Sequence, residues 1–155
     1  MRIMLNRIRI MQNIKIKLIK IPGELRDALK VRKSVFQKEQ GIDIKLDFDN
    51  KDDNSDHIVA YYDDNPIGTT RIRYLNDNVA KIERTSVMQN YRGCGVGKKI
   101  IEYAICFLKE KGIEKVILNA QEHAKGFYEK LGFKQDGELF KEANIPHVSM
   151  YKKIA

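Results

Sequence analysis

The sequence predicts an α+β fold built mostly from antiparallel strands, and three observations carry that prediction. Residues 57–88 hold three β-rich runs separated by Asp/Asn turns, the mark of an antiparallel meander. Residues 95–119 then switch to a helical period followed by a short buried strand, and the chain after Phe133 returns to strand-like runs. At 155 residues, with 43% hydrophobic and 32% charged side chains, the chain is long enough to bury one core without staples, and its balance excludes collagen-like, low-complexity or wholly disordered classes. No apolar run approaches the ~18 residues a membrane span needs.

Residues 1–10 carry Arg2, Arg7 and Arg9 and no acid. They lack the apolar stretch and cleavage site of a secretory signal and read as a start-site artefact ahead of Met11, or as a frayed tail. Residues 1–13 are therefore set apart as a basic N-terminal extension, and residues 14–155 are read as one domain. Residues 14–21 alternate apolar and basic side chains as a strand with one wet face. Pro22 and Gly23 break it. Leu25, Ala28, Leu29, Arg32 and Phe36 mark a helix over residues 24–40 that Gly41 stops. Residues 42–56 hold six Asp and no clear period, which reads as a loop with at most a short helical turn. Strands follow over residues 57–62, 67–75 and 79–88. Val96, Ile100, Ile101, Ala104, Ile105 and Leu108 share one side of a helix closed by Gly112. A buried strand over 115–119 and a helix over 121–131 ended by Gly132 come next. Residues 133 onward and 148–152 form a closing antiparallel pair.

Net charge is +8, with 29 Lys+Arg against 21 Asp+Glu. That surplus suits nucleic acid, an anionic membrane or a phosphate-rich small molecule. Removing the three arginines of the first ten residues lowers +8 to +5, and no nucleic-acid motif is present, so a nucleic-acid partner is the weakest of these. Cys94 and Cys106 have neither Cys-x-x-Cys spacing nor a His at ligand distance, so no metal site or disulfide is expected and a reducing cytoplasm is the default.

The informative stretch runs from Val87 to Lys99. A strand ends, Gly93, Gly95 and Gly97 alternate with Cys94 and Val96, and a helix begins, with Arg92, Lys98 and Lys99 supplying charge. Glycines let main-chain N–H groups converge on an anion, and a helix N-terminus adds unpaired N–H groups and a favourable dipole. This is a phosphate or pyrophosphate cradle. The spacing fails for a P-loop, because Lys99 stands where Ser/Thr is needed. It fails for a dinucleotide fingerprint too, because Lys98 takes the third glycine's place and the next strand ends in Asn119 rather than an acid.

Arg92, Gly95 and Gly97 match the (Q/R)-x-x-G-x-(G/A) signature of the GNAT superfamily of N-acetyltransferases. Gln121, Ala124, Tyr128, Gly132 and Phe133 match the second half of that pattern. Residues 35–41, the Asp-rich loop before His57, residues 120–124 and residues 145–148 resemble the ElaA/YjcF branch. The resemblance spans residues 14–152. It implies a three-layer GNAT-type acyl-CoA N-acyltransferase fold, with a mixed, mostly antiparallel sheet flanked by helices. It further implies acetyl-CoA as cosubstrate and direct acetyl transfer to a primary amine in a ternary complex, without a covalent enzyme intermediate. Val87, Met88, Arg92, Gly93, Cys94, Gly95, Val96, Gly97, Lys98, Gln121 and Tyr128 would then bind CoA. The superfamily's usual Asn is here Gln121, which keeps an amide and changes its reach. A homodimer is a further option the family offers.

Such a transfer needs a neutral amine, a donor for the carbonyl oxygen and a proton for the departing thiolate, and no metal. The N–H of Val87 or Met88 is a candidate donor. Tyr128 holds the family's tyrosine position and is the candidate acid, against a packing role beside Phe127. Glu83 suits a base on a central strand, level with a structural pairing of Glu83 and Arg84. Histidine is the side chain suited to proton transfer near neutral pH, which makes His147 and His123 candidates at the acceptor side, although a structural role is commoner for a lone His. Glu39 and the aspartates of residues 47–56 are candidates for attracting a cationic amine, against a merely solvated loop. Cys94 reads as a small loop residue. The rival to an enzyme is a non-catalytic acyl-CoA sensor that keeps the cradle without turnover.

Overall fold

A computed structural model describes residues 1–155. Its sheet has eight strands in the order β1-β2-β3-β4-β5-β8-β6, with β7 pairing β8. The strands are β1 (Ile14–Leu18), β2 (Asp56–Tyr62), β3 (Asn65–Tyr74), β4 (Val79–Val87), β5 (Lys115–Gln121), β6 (Lys134–Gln135), β7 (Phe140–Glu142) and β8 (Ile145–Lys153). The β4–β5 ladder is parallel, whereas β1–β2, β5–β8, β6–β8 and β7–β8 are antiparallel. The mixed, mostly antiparallel sheet expected from the sequence is what the chain forms. The helices are α1 (Arg2–Gln12), α2 (Leu25–Arg32), α3 (Ile44–Asp47), α4 (Val96–Glu110) and α5 (Lys125–Lys130). No helix is long and apolar enough to cross a membrane.

Contacts divide the chain into two compact units, residues 1–71 with 84–104 and residues 72–83 with 105–155. In the first, β1 keeps Lys15 and Lys17 exposed and Ile14, Ile16 and Leu18 half-buried, the alternation its sequence predicts. Asp63 and Asp64 both adopt left-handed φ, 48° and 64°, so β2 turns into β3 through a two-residue loop of the I′ kind, whose twist suits a hairpin. Ala28, Val31, Val35 and Phe36 are buried at helical spacing. The single helix expected over 24–40 instead passes at Lys33 into a wider π-helix, Lys33–Glu39, in which the Gln40 N–H donates to the Val35 carbonyl at 3.0 Å. Gly41 ends it at φ 66°.

The Asp-rich stretch is more ordered than a loop. It holds α3 and a 3₁₀ turn, Asp52–Asn54, around buried ion pairs. Arg32 reaches Asp47 at 3.0 Å and Asp52 at 2.7 Å, and Arg71 reaches Asp49 at 2.7 Å and Asp52 at 3.0 Å. Arg84 joins Asp47 at 3.3 Å and Asp49 at 3.4 Å. Arg32, Arg71 and Asp47 are at most 2% exposed, and at that burial a carboxylate persists only when paired.

In the second unit, β5 buries Val116, Leu118 and Ala120 and leaves the alternate residues half-exposed. It runs through Gln121, two residues past the expected end. The helix expected from residue 121 therefore starts later, after a 3₁₀ turn at Glu122–Ala124. Both predicted glycine stops hold. Gly112 and Gly132 take φ 80° and 92°, and Ile113 donates to Leu108 and Phe133 to Tyr128, closing each helix in a Schellman motif.

Candidate active site

The site's first component is the far half of β4. Its ladder to β5 runs from Val79↔Lys115 to Ile82↔Leu118, whereas β4 itself continues to Val87. Arg84 sits just past that last pair with φ 54°. A left-handed non-glycine residue inside a strand marks a β-bulge, and the strain is of order 1–3 kcal/mol. Hydrogen bonds from its guanidinium to the Asp47 carbonyl at 3.3 Å and the Leu46 carbonyl at 3.0 Å hold it there. After the bulge, the Met88 N–H donates to the Ile67 carbonyl at 2.8 Å, so of the two donors named from sequence this one is already taken. Successive main-chain N–H groups of a strand point to opposite edges, which aims the Val87 N–H away from β3.

Next comes the glycine junction. Gly93 and Gly95 adopt φ of 72° and 79°, conformations that favour glycine. Gly97 lies in the first turn of α4 without positive φ. No main-chain N–H from Gly93 to Lys98 has a main-chain acceptor, and the series resumes with Lys99 donating to Gly95 at 3.1 Å. Six successive donors are thus left at the positive end of a helix dipole. Arg92 does not reach into this array. Its Nε donates to the Val87 carbonyl at 2.9 Å and its guanidinium pairs with Glu39. That pairing holds the Glu39 carboxyl below its usual range and raises Arg92. Arg92 therefore braces the strand end, and Glu39, named as an acceptor contact, is brought to the loop instead. Cys94 is buried with its Sγ 3.7 Å from the Arg92 carbonyl, Val96 is buried, and exposed Lys98 lies 3.8 Å from Glu102.

The residues expected to form a frayed tail are helical and rest on this junction. Ile10 is buried, Lys99 Nζ donates to the Met11 carbonyl at 2.9 Å, and Arg7 Nη2 and Met11 Cε lie 3.6 and 3.7 Å from where side chains on Gly93 and Gly95 would begin. Sequence reasoning missed this contact. The spacing of Arg7 and Met11 carries helical periodicity, but nothing local says what the helix would meet.

The second unit brings another predicted group together. Gln121 and His147 are register partners across β5 and β8, and Phe140 is the partner of His147 across β7. Directly opposite residues share a sheet face, and Phe140 stacks on His147 with centroids 5.9 Å apart. His147 Nδ1 lies 2.7 Å from the Ile145 carbonyl. A carbonyl only accepts, so Nδ1 carries the proton and Nε2 is left facing Glu142 Oε2 at 3.6 Å. Tyr128 is buried, edge-on to both Phe127 and Phe133. His123 is exposed on the 3₁₀ turn. Glu83 is clamped: Arg73 Nε and Nη2 reach its two oxygens at 2.9 and 2.7 Å, and Lys81 lies at 3.4 Å. Its partner is thus Arg73, ten residues away on β3, and not Arg84, which belongs to the aspartate cluster.

Known proteins resemble the chain in sequence and in fold. A family model described as an acetyltransferase (GNAT) domain matches residues 11–154. The Bacillus subtilis protein YjcF, named an uncharacterized N-acetyltransferase, is 38% identical over 130 residues, covering 83% of this chain and 92% of its own. The solved structure of Escherichia coli ElaA superposes with a TM-score of 0.79 at 25% identity, covering 90% of this chain and 99% of that one. An aminoglycoside 6′-N-acetyltransferase complexed with coenzyme A shares the fold, with a TM-score of 0.73 at 16% identity over 91% of this chain and 97% of that one.

Proposed function

The chain belongs to the GNAT acetyltransferase family and is an acetyl-CoA-dependent acetyltransferase; on that premise we propose that it moves the acetyl group directly to a primary amine while both substrates are bound. The observation that carries the reading is the run of six unpaired N–H groups from Gly93 to Lys98 at the start of α4, which fits the diphosphate of CoA. Val87, Met88 and the loop from Arg92 to Lys98 line the ligand, with the Val87 N–H on the thioester oxygen. The amine nitrogen attacks the carbonyl carbon, the C–S bond breaks as C–N forms, and the CoA sulfur leaves as thiolate. Tyr128 donates a proton to that sulfur.

The attacking amine must lose its proton, and Glu83 and His147 are the two candidates for accepting it. Both Glu83 oxygens are engaged by Arg73, with Lys81 at 3.4 Å, which places them poorly for taking a proton from an amine. His147 has its tautomer fixed by Ile145, so Nε2 offers a lone pair, and it is the better of the two. Gln121 holds CoA, and His123 flanks the acceptor side.

Calorimetry with acetyl-CoA, CoA, NAD and ATP in parallel, followed by thiol release over a panel of amines, tests the reading. Binding confined to the two CoA species, with turnover on at least one amine, is expected, and Tyr128→Phe should lower kcat by about tenfold or more with acetyl-CoA affinity intact. Binding of NAD or ATP alone would show the cradle to be misread. CoA binding without turnover on any amine would leave a sensor.

A further inference from the structure

Around the glycine junction positive charge gathers, and only part of it is neutralised. Lys98 and Lys99 stand in the first turn of α4, which has no acid, at the end where the helix dipole is already positive. Arg92 is neutralised by Glu39 and Lys98 lies 3.8 Å from Glu102. The Arg7 side chain has no hydrogen bond or ion pair. Its guanidinium nonetheless lies over Gly93, 3.6 Å from where a side chain would begin, on the loop that carries the unpaired N–H groups. An unpaired guanidinium held against the positive end of a helix is unfavourable by itself, and an anion between them reverses the sign of every one of these interactions. A segment that merely plugged the cradle would offer the N–H groups an acid. From Arg2 to Gln12 α1 contains none.

We propose that Arg7 is a ligand of the CoA diphosphate, so that α1 forms a wall of the cofactor site that the glycine signature does not include. The inference rests on the CoA reading above. The guanidinium would donate to diphosphate oxygens from the face opposite the loop N–H groups, with Lys99 held in place by the Met11 carbonyl. Binding of CoA and docking of α1 are then linked, each strengthening the other.

The test is calorimetric titration of the full chain and of Arg7→Gln, with Arg2→Gln as a control on the same helix. Arg7 is exposed, so its replacement leaves the fold intact. For CoA, Arg7→Gln should weaken binding roughly five- to tenfold, the scale of one charge-assisted hydrogen bond partly screened by water, and Arg2→Gln should stay within about twofold. The same loss should appear with 3′-dephospho-CoA, which keeps the diphosphate. An unchanged affinity in Arg7→Gln overturns the inference. A tighter one overturns it too, and makes α1 a cap that competes with the ligand. A loss seen with CoA and absent with 3′-dephospho-CoA overturns the diphosphate assignment. Failure of the unaltered chain to bind CoA is a different result, and it sinks the CoA reading itself.

Discussion

His57 shows how a single buried side chain ties stability to pH. It is about 1% exposed. Nε2–H donates to the Asp52 carbonyl at 2.9 Å, and Nδ1 has no partner. Burial holds its pKa below the ordinary value; Asp52 opposes that, and the Arg32 and Arg71 charges add to it. The folded chain thus keeps the ring neutral where the unfolded chain, titrating near 6.5, takes up a proton. The stabilisation is complete above the unfolded pKa and drains away as pH falls toward the lower folded value. A second loss lies further down. Asp49 is held below the usual carboxylate range by the Arg71 hydrogen bonds. For Asp52, burial pushes upward, and the Arg32 and Arg71 interactions outweigh it. Folded pKa values below the unfolded one give stability that is present above about pH 4 and lost beneath it. Urea unfolding from pH 8 to 3 should therefore show two descents, and His57→Gln should remove the upper one while sparing the lower. A single descent in the unaltered chain would contradict this.

At the scale of elements, what the sequence revealed and what it concealed divide by the range of the interactions. Gly41, Gly112 and Gly132 announce helix ends because the left-handed residue that ends a helix is a local requirement. The burial of Val96, Ile100, Ile101 and Ala104 follows from period alone. The order in residues 42–56 was not legible in this way. Asp47, Asp49 and Asp52 are fixed by Arg32, Arg71 and Arg84 from α2, β3 and β4, and no local pattern announces partners so distant in sequence. The bulge at Arg84 was hidden for the same reason, since an arginine does not advertise left-handed φ. Gly68 in β3 is another long-range demand. A Cβ there would lie 2.7 Å from Ile100 Cδ1, 3.1 Å from Val96 Cγ1 and 3.4 Å from the Ser86 carbonyl. The strand and the start of α4 approach closely because nothing stands between them. Alanine needs the Ile100 terminus to swing aside, and Gly68→Val adds two methyl groups with nowhere to go. Overpacking of this kind costs about 1–3 kcal/mol, read as a lower urea midpoint at unchanged m-value, with Gly68→Ala in between. A Gly68→Val chain as stable as the original would mean that β3 and α4 are not in contact.

For the whole molecule, the glycine junction was legible because the glycine spacing and the cations lie together in sequence, whereas its neighbourhood was not. Arg92 looked like a phosphate ligand and is tied to Glu39. Arg7 looked like part of a stray tail and lies on the loop. The net charge of +8 acts on a different scale from either contact. A field summed over the molecule draws an anionic cosubstrate toward it and raises the rate of encounter, and salt screens it, with a Debye length that falls from about 10 Å at 0.1 M to about 3 Å at 1 M. Direct contacts at the loop are shorter than either length and are screened far less. The two contributions therefore separate kinetically. Between 0.1 and 1 M salt the association rate of acetyl-CoA should fall several-fold while its dissociation rate changes much less. Arg2→Gln and Arg9→Gln together should flatten part of the association slope without altering dissociation, because they remove field and no contact. Arg7→Gln should do the reverse, chiefly raising the dissociation rate. Stopped-flow binding measures both rates, and an association rate indifferent to salt would assign the basic surplus of this chain to something other than its cosubstrate.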